Sequence, residues 1–357
     1  MEKTRFSQIE TAKYVKSFGL LPDGREVLCY RLSNKNGCEL SVINYGATIT
    51  SLKIPISDNE KVDVVLGFDT LEDYLNSYYL PSPPYFGTTV GRFAGRINNA
   101  EFSLNGKRNF LNKNLGEHNI HGGILGFSRK LWRVTTKPSS EKPSITLEYV
   151  SKNNEENFPG ELTVQVTYTL TEENELKVNY IAKTTEDTIV NLTHHSYFNL
   201  DGHSNDIANQ ELQINSKKVL ETNDELIPTG EFTSLKNHSF DFSSAKICPT
   251  SIDNTFVLED DTSVSELAEQ NAVTLFSQKN KIKMSVSTNQ PALHVYVGGN
   301  CFDKIKGKEN TGYHPKSGIC FETQNFPDAP NHAHFPSSVL KKDETYSHHT
   351  TFKFENL

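Results

Sequence analysis

The sequence predicts an all-β protein, a large sandwich of antiparallel strands. Segments in which apolar and polar residues alternate recur from end to end, and a period of two is typical of strands that bury one face. Helical spacing is weak and is limited to segments such as 71–80 and 264–271. Because strands and helices do not alternate along the chain, a parallel α/β sheet is not expected.

Two hairpins are predicted from local sequence. Asn105-Gly106 lies between two alternating runs within 101–111, and this dipeptide favours a type I′ turn because both of its residues tolerate positive φ. In 162–183 two alternating strands flank a polar turn at 171–174. One face of this hairpin carries Val164, Val166, Tyr168, Leu176, Val178 and Tyr180. The same period recurs in 144–152, 281–288 and 292–300.

Composition favours one domain. The chain has 357 residues, 35% of them hydrophobic, and no linker or internal repeat divides it. We therefore predict a single domain over 1–357, with roughly the first dozen residues as a polar extension.

Charge and cysteine content limit the possible partners. The net charge of −8 and the lack of a basic tract argue against nucleic acid, and no apolar run suits a membrane span or signal peptide. The five cysteines are scattered, which favours free thiols in the cytoplasm over a disulfide framework or a zinc ribbon. A small, neutral ligand is the expected partner.

Candidate site residues are polar side chains within strand-like or turn-like sequence. Dinucleotide, P-loop and GxSxG signatures are absent, and no activated serine or cysteine is evident. The remaining candidates are Arg92, Arg96, His121, His195, Asp253, His294 and Glu322.

Two of these candidates depend on strand alternation. In 318–322 alternation sends Cys320 and Glu322 to the face opposite Ile319 and Phe321, and a carboxylate beside such apolar sequence is either paired or functional. Within 190–200 alternation places the neighbouring His194 and His195 on opposite faces.

Each candidate also has a purely structural explanation. For Arg92 and Arg96 that explanation is a solvated ion pair with an acidic residue. If they are buried, each guanidinium needs several acceptors, which a sugar or a carboxylate would supply. Asp253 suits a turn, and His294 suits a core or a rim as well as a site. His118 and His121 have the spacing of a metal pair, but two histidines alone do not complete a metal site, so we predict no metal.

The chemistry that suits this set is acid–base work on a sugar. One carboxylate with one or two histidines supplies a general base and a general acid, while arginine and aspartate bond a neutral polyol. Glycoside hydrolysis would require Asp253 to join Glu322 as a carboxylate pair.

Seven segments, in order from about residue 40 to about residue 335, resemble the galactose mutarotases (aldose 1-epimerases). They read INYGATITSLKIP, DVVLGFDTLEDYL, YFGTTVGRFAGRI, NIHGGILGFSRKLW, VNLTHHSYFNL, DNTFVL and SGICFETQNFPDAPN. The resemblance implies a galactose-mutarotase-type β-sandwich that interconverts the α and β anomers of free aldoses such as galactose and glucose, without metal or organic cofactor.

The resemblance also implies roles for individual residues. Glu322 would be the general base at the C1 hydroxyl, and His195 the general acid at the ring oxygen. Arg96, His121 and Asp253 would hold sugar hydroxyls. His294 would line the same sugar site. His194 is left as a structural residue.

Two positions depart from the family pattern. Gly95 stands where many relatives have asparagine, and His294 where many have glutamine, so the preferred aldose is left open. The alternatives are a non-catalytic sugar sensor and a hexose-6-phosphate mutarotase, although a phosphate would need extra cationic groups. We expect a monomer or a homodimer.

Overall fold

Two large antiparallel sheets form the body of the protein. The computed structural model describes residues 14–139, 143–258, 270–298 and 305–357. The predicted N-terminal extension, Cys301 and most of the predicted helical segment 264–271 lie outside these ranges.

Among the described residues the larger sheet has nine strands, and neighbouring strands pair in antiparallel fashion. In spatial order the strands are Arg133–Thr136, Ser144–Ser151, Leu162–Leu170, Glu175–Thr184, Tyr346–Asn356, Ile282–Thr288, Gln270–Ser277, Gln210–Ile214 and Lys246–Ile247.

The second sheet has six strands in the described part of the chain and is also antiparallel. Its strands, in spatial order, are Tyr197–Phe198, Ile319–Gln324, Ala292–Val297, Ile252–Leu258, Ser216–Thr222 and Pro228–Ser234.

A third antiparallel sheet is formed by the N-terminal part of the described chain. Its five strands, in chain and spatial order, are Val15–Leu20, Glu26–Ser33, Glu39–Ile43, Thr48–Ser57 and Glu60–Asp63. The α-helix Leu71–Ser77 follows, within the predicted segment 71–80. It begins after Thr70, whose hydroxyl accepts a hydrogen bond from the Asp73 amide, so the sequence supplies its own N-cap.

Short two-stranded ladders and 3₁₀ turns join the sheets. The ladders are Arg96–Ile97 with Asn119–Ile120, Thr89–Val90 with Thr193–His194, Glu101–Leu104 with Lys107–Phe110, Thr188–Ile189 with Val339–Leu340, and Ile305–Lys306 with Gly312–Tyr313. The 3₁₀ turns are Asn98–Ala100, Phe127–Arg129, Glu155–Asn157, Lys308–Asn310 and Ala329–Asn331.

The main apolar core lies between the nine-stranded and six-stranded sheets. Val166 and Val178 of the larger sheet belong to the same buried cluster as Val295, Ile319 and Phe321 of the smaller one. Burying so many aliphatic and aromatic side chains is the main source of stability. Because side chains alternate, the other face of the six-stranded sheet is available for polar residues.

The sequence-predicted sandwich and both hairpins are confirmed. Asn105 and Gly106 have φ of 52° and 74°, as a type I′ turn requires. Leu162–Leu170 and Glu175–Thr184 pair in register, with Val166 opposite Tyr180. Among the described residues, no helix is long and apolar enough to cross a membrane. Cys29, Cys38, Cys248 and Cys320 are free thiols, each of them buried.

Two histidines are buried inside the sandwich. His194 packs against the Tyr168 ring, at 5.7 Å between centroids, and His348 shares hydrogen bonds with the Leu192 carbonyl and the Thr323 hydroxyl. Burial, helped by the neighbouring imidazoles of His195 and His349, lowers the pKa of each from 6.5 to about 3. Both therefore stay neutral in the folded protein at neutral pH.

We predict that these two histidines make the fold acid-labile. Above pH 6.5 the two imidazoles are neutral in both the folded and the unfolded chain, so proton binding by them does not lower the free energy of unfolding. Below 6.5 the unfolded chain binds a proton that the folded protein does not, so stability falls until the folded pKa near 3 is reached. Each histidine should contribute about 1.4 kcal/mol per pH unit to the slope of the unfolding free energy.

Urea unfolding between pH 6 and pH 4.5 measures that slope. His194→Gln and His348→Gln should each reduce this slope by the contribution of one bound proton, about 1.4 kcal/mol per pH unit, whatever they do to stability at pH 7. His238→Gln, at a partly exposed position, is the control. An unchanged slope in both core variants would contradict the prediction.

Candidate active site

A cleft of about 320 Å³ opens over the polar face of the six-stranded sheet. This volume is in the range of small-molecule sites, roughly 300–1,000 Å³. Arg96, His121, His195, Asp253, His294 and Glu322 all line it, so six of the seven sequence-predicted candidates meet in one place. The remaining lining includes Tyr78, Tyr85, Arg129, Tyr296, Gln324 and Pro327.

The sheet register brings three of these residues together. Ala292–Val297 pairs with Ile319–Gln324 so that His294 lies directly opposite Glu322. On its other side Ala292–Val297 pairs with Ile252–Leu258, which places Thr255 opposite His294 and Asp253 opposite Tyr296. Residues directly opposite in a ladder have Cβ atoms about 5 Å apart, so their side chains interact.

His195 enters the cleft from a break in a strand. The ladders Thr193–His194 and Tyr197–Phe198 flank it, and His195 itself lies between them. Its Nε2 lies 3.5 Å from Oε1 of Glu322, and the two side chains are only 5% and 2% exposed. Burial lowers the pKa of His195, and the Glu322 charge opposes that effect. In the described part of the chain, Oε2 of Glu322 has no hydrogen-bond partner.

The two neighbouring histidines separate as alternation predicts. The His195 ring stacks on Tyr197, at 5.3 Å between centroids, whereas His194 packs against Tyr168 of the nine-stranded sheet. His194 does not line the cleft among the described residues and is a core residue.

His121 is presented by a loop that its neighbours hold in place. It has a positive φ of 53°, and its Nδ1 accepts a hydrogen bond from the Gly95 amide at 3.3 Å, which leaves Nε2 for the cleft. The Asn114 side chain donates a hydrogen bond to the Ile120 carbonyl and accepts one from the Ile120 amide. The Glu156 carboxylate accepts a hydrogen bond from the Ile124 amide. The imidazole of His121 is therefore fixed 5.5 Å from that of His195, centroid to centroid.

Gly95, the first departure from the family pattern, serves this arrangement. Its φ is 77°, and a Cβ added there would lie 3.0 Å from Pro327. Glycine adopts this conformation without strain, so position 95 favours a residue without a side chain in this protein.

Arg96, Asp253 and His294 form a charged network on one wall. Oδ1 of Asp253 accepts a hydrogen bond from Nε2 of His294, at 3.0 Å. Oδ2 of Asp253 lies 3.6 Å from Nη2 of Arg96. Burial opposes the charge on Asp253, but the hydrogen bond from His294 and both cations outweigh it and lower the pKa of Asp253 to about 2. For His294 burial is likewise outweighed, by Asp253, and the pKa of His294 is raised.

His294 contacts two protein groups as well as lining the cleft. Its Nδ1 lies 2.9 Å from the Thr255 hydroxyl and its Nε2 bonds Asp253, so both ring nitrogens are occupied by protein groups. The side chain lines the cleft, but its contacts hold Asp253 in position.

Two other sequence candidates are structural. Arg92 is 1% exposed, and its two terminal nitrogens donate to the carbonyls of Pro159 and Gly160 and to Ser151 Oγ. Its Nε has no hydrogen-bond partner among the described residues, so the guanidinium is held by protein acceptors through Nη1 and Nη2 alone. His118, considered above as a metal partner of His121, accepts the Asn99 amide on Nδ1 and lies 3.6 Å from Glu225 on Nε2. Neither residue lines the cleft among those described.

A different donor cluster is present, made of His121, His195 and Glu322. Their nearest nitrogen and oxygen atoms all lie within 4.8 Å of one another. Such a set has ligand types that suit a divalent cation. A bound cation would occupy both His195 and Glu322, so it would compete with acid–base work by that pair.

Sequence reasoning missed the aromatic residues around the site. Tyr85 lies over His195 at 5.8 Å and near His121 at 5.0 Å, between ring centroids. Tyr85 follows Pro83 and Pro84, and an aromatic residue beside two prolines was the available signal. Tyr78 directly follows the helix Leu71–Ser77 and carries Arg129 over its ring at 4.9 Å.

The geometry supports one kind of chemistry. A buried imidazole and a buried carboxylate face each other across a small polar cleft, and hydrogen-bonding groups surround them. This arrangement suits proton transfer at two neighbouring oxygen atoms of a bound polyol.

Known proteins resemble this chain over nearly its full length. A family model described as aldose 1-epimerase matches residues 28–353. The galactose mutarotase of Bos taurus is 37% identical, over 94% of this chain and 97% of its own. The aldose 1-epimerase of Escherichia coli K12 is 30% identical, with the same coverage of both chains.

Solved structures agree. The aldose epimerase homologue from C. elegans superposes with a TM-score of 0.83 at 28% identity, covering 92% of this chain and 99% of its own. The galactose 1-epimerase from Lactobacillus acidophilus NCFM gives a TM-score of 0.81 at 25% identity, covering 96% and 98%. The match of family, relatives and fold confirms the predicted resemblance: the chain belongs to the aldose 1-epimerase family.

Proposed function

We propose that the cleft interconverts the α and β anomers of free aldoses, such as galactose and glucose, by opening and closing the sugar ring. The observation that carries the proposal is the facing pair of His195 Nε2 and Glu322 Oε1, 3.5 Å apart and buried in the cleft. Family membership supports the same activity.

Ring opening needs a base at O1 and an acid at the ring oxygen. Ionised Glu322 takes the proton of the C1 hydroxyl, and the O1 electrons form the C1=O1 double bond. The C1–O5 bond breaks with its electron pair on O5, which takes the Nε2 proton of His195 in its protonated form. The facing Glu322 charge favours that form and opposes the effect of burial on the pKa of His195. Glu322 ends neutral and protonated, His195 ends as a neutral imidazole, and the sugar is an open-chain aldehyde.

Ring closure reverses these steps. Rotation about C1–C2 turns the other face of the aldehyde toward the C5 hydroxyl. Neutral His195 takes the proton of that hydroxyl as O5 attacks C1, and Glu322 returns its proton to O1. The pair regains its starting protonation state in every cycle, so no external acid or base is consumed.

The surrounding residues hold the sugar hydroxyls in this proposal. His121 offers Nε2, Arg96 offers its guanidinium, and Asp253 offers carboxylate lone pairs. His294 acts through Asp253, because both of its nitrogens are engaged with protein groups. A network of fixed partners lowers the cost of orienting the substrate.

Both alternative functions on this fold are less well supported. A sensor has no need of a matched acid and base. For a hexose 6-phosphate, the two arginines lining the described cleft are already engaged: Arg96 faces Asp253, and Arg129 lies over Tyr78 and donates to the Ile124 carbonyl. A neutral aldose suits this wall better.

Several expectations from the sequence stay predictions. They are a single domain over 1–357, a monomer or homodimer, a cytoplasmic location and independence of metal or organic cofactor. The free, buried thiols among the described cysteines are compatible with a reducing compartment.

We predict that the protein accelerates the optical-rotation change of freshly dissolved α-D-galactose or α-D-glucose. Polarimetry on a panel of pure anomers measures the rate directly, with heat-denatured protein as the control. An aldose panel in which no sugar equilibrates faster than in the control would overturn the enzymatic proposal and favour the sensor.

Glu322→Gln and His195→Asn should each remove most of the rate, about 10²-fold or more, because each lacks one of the two proton transfers. Both substitutions are close to isosteric, so far-UV circular dichroism should match the parent protein. The control is Glu225→Gln, which alters the exposed partner of His118, outside the cleft lining, and should keep normal turnover. Normal turnover in either site variant would show that the acid–base assignment is wrong.

His294→Leu should raise KM several-fold and lower kcat less, because Asp253 loses its hydrogen-bonded cation while the His195–Glu322 pair is kept. A coupled assay with an anomer-specific sugar dehydrogenase gives both constants. Thr255→Val is the matched variant: it removes the hydroxyl at Nδ1 and leaves the contact with Asp253, so its effect should be smaller. A fall in kcat at constant KM would contradict an indirect, substrate-holding role.

A further inference from the structure

Cys320 lies behind the proposed acid. Its Sγ is 3.6 Å from Nδ1 of His195, on the edge of the imidazole opposite the one that faces Glu322. Cys320 is two residues before Glu322 on the strand Ile319–Gln324, so both side chains project from the same face. One strand therefore supplies the group at each edge of the imidazole.

We infer that Cys320 is a positioning residue, whose sulfur accepts the Nδ1 proton of His195 and so makes Nε2 the nitrogen that exchanges its proton with the sugar. The inference rests on the proposed function, in which His195 gives up one proton and takes it back. It adds a residue that touches the acid and not the substrate.

The proton balance of the reaction calls for such a partner. Protonated His195 carries a proton on each nitrogen. After Nε2 has given its proton to the ring oxygen, neutral His195 must keep Nδ1–H, because ring closure returns the proton to Nε2. A buried N–H without an acceptor is costly, and the tautomer with Nε2–H would leave no base for the return step.

The surroundings restrict the ring to this orientation. Tyr197 and Tyr85 both pack against it, at 5.3 and 5.8 Å between ring centroids and with interplanar angles of 30° and 33°. Aromatic faces hold a cationic imidazole without competing for its N–H groups. Cys320 then contacts Nδ1 of the imidazole, and Glu322 lies near Nε2.

The chemistry of sulfur fits the task. A carboxylate at this position would stabilise the imidazolium strongly and make it a poorer acid. A thiol is a weak acceptor without formal charge, so it directs the tautomer and leaves the Nε2 proton transferable. Cys320 itself is 0% exposed, so its thiol is buried beside Nδ1.

The test compares Cys320→Ala, which removes the acceptor, with Cys320→Ser, which keeps one. For Cys320→Ala we expect kcat to fall about tenfold, with KM within about twofold of the parent. Cys320→Ser should stay within about threefold of the parent kcat. The control is Cys248→Ala, at a thiol buried in the main core away from the cleft, which should not change the pH profile.

The pH profile separates positioning from a loss of packing. With the acceptor removed, the imidazolium is less stabilised, so the limb of kcat/KM that reports His195 should move to lower pH in Cys320→Ala and return in Cys320→Ser. Equal kcat and an unmoved limb in a folded Cys320→Ala protein would overturn the inference.

A measurement on the unmutated protein keeps the inference testable if Cys320→Ala does not fold. Two-bond ¹H–¹⁵N correlation spectra of the imidazole, recorded where His195 is neutral, distinguish the tautomers. An Nδ1–H tautomer is expected, and an Nε2–H tautomer would refute it. An active enzyme with the wrong tautomer defeats this inference alone, whereas an inactive enzyme defeats the proposed function.

Discussion

The register between Ala292–Val297 and Ile319–Gln324 is the constraint on which the site depends. Ile319 and Phe321 project into the core against the nine-stranded sheet, and this fixes Cys320 and Glu322 on the opposite face. A slip of one residue would bury Glu322 in the apolar core and expose Phe321 to the cleft. The free energy of core packing therefore also holds the candidate base opposite His294.

The same constraint explains how several ionisable groups remain buried together. Each has a partner of complementary character: Glu322 faces His195, and Asp253 lies between Arg96 and His294. Paired charges avoid most of the free-energy cost of burial. Oε2 of Glu322 has no partner among the described residues, so it is available to accept a hydrogen bond from a sugar hydroxyl. Groups held in this way are already oriented before a substrate arrives, which is what proton transfer in a small cleft requires.

Local features of the fold were predictable because their causes are local. Asn105-Gly106 specifies its own turn, and the alternation in 162–183 specifies which side chains enter the core. The meeting of His121, Asp253 and Glu322 was not predictable from periodicity, since it depends on which distant strands pair. From the sequence, it is the resemblance to a family that assigns these residues to one site.

Two details show what even the resemblance leaves out. Arg92 lies in a matching segment, yet its acceptors are backbone carbonyls of residues 151–160, which no local pattern indicates. The cross-strand register gives both nitrogens of His294 to Thr255 and Asp253, contacts that the resemblance did not indicate, and its contact with the sugar stays a prediction. In both cases hydrogen-bond partners distant in sequence decide the role.

In the proposed reaction His195 and Glu322 open and close the ring of a bound free aldose. Two-dimensional ¹H exchange spectroscopy on an equilibrium mixture of galactose anomers detects that reaction without a coupling enzyme. The parent protein should produce exchange cross-peaks between the α and β anomeric protons, and methyl α-galactoside, which lacks the O1 proton, should give none. Absence of the galactose cross-peaks with folded protein, or their undiminished presence in Glu322→Gln, would contradict the account.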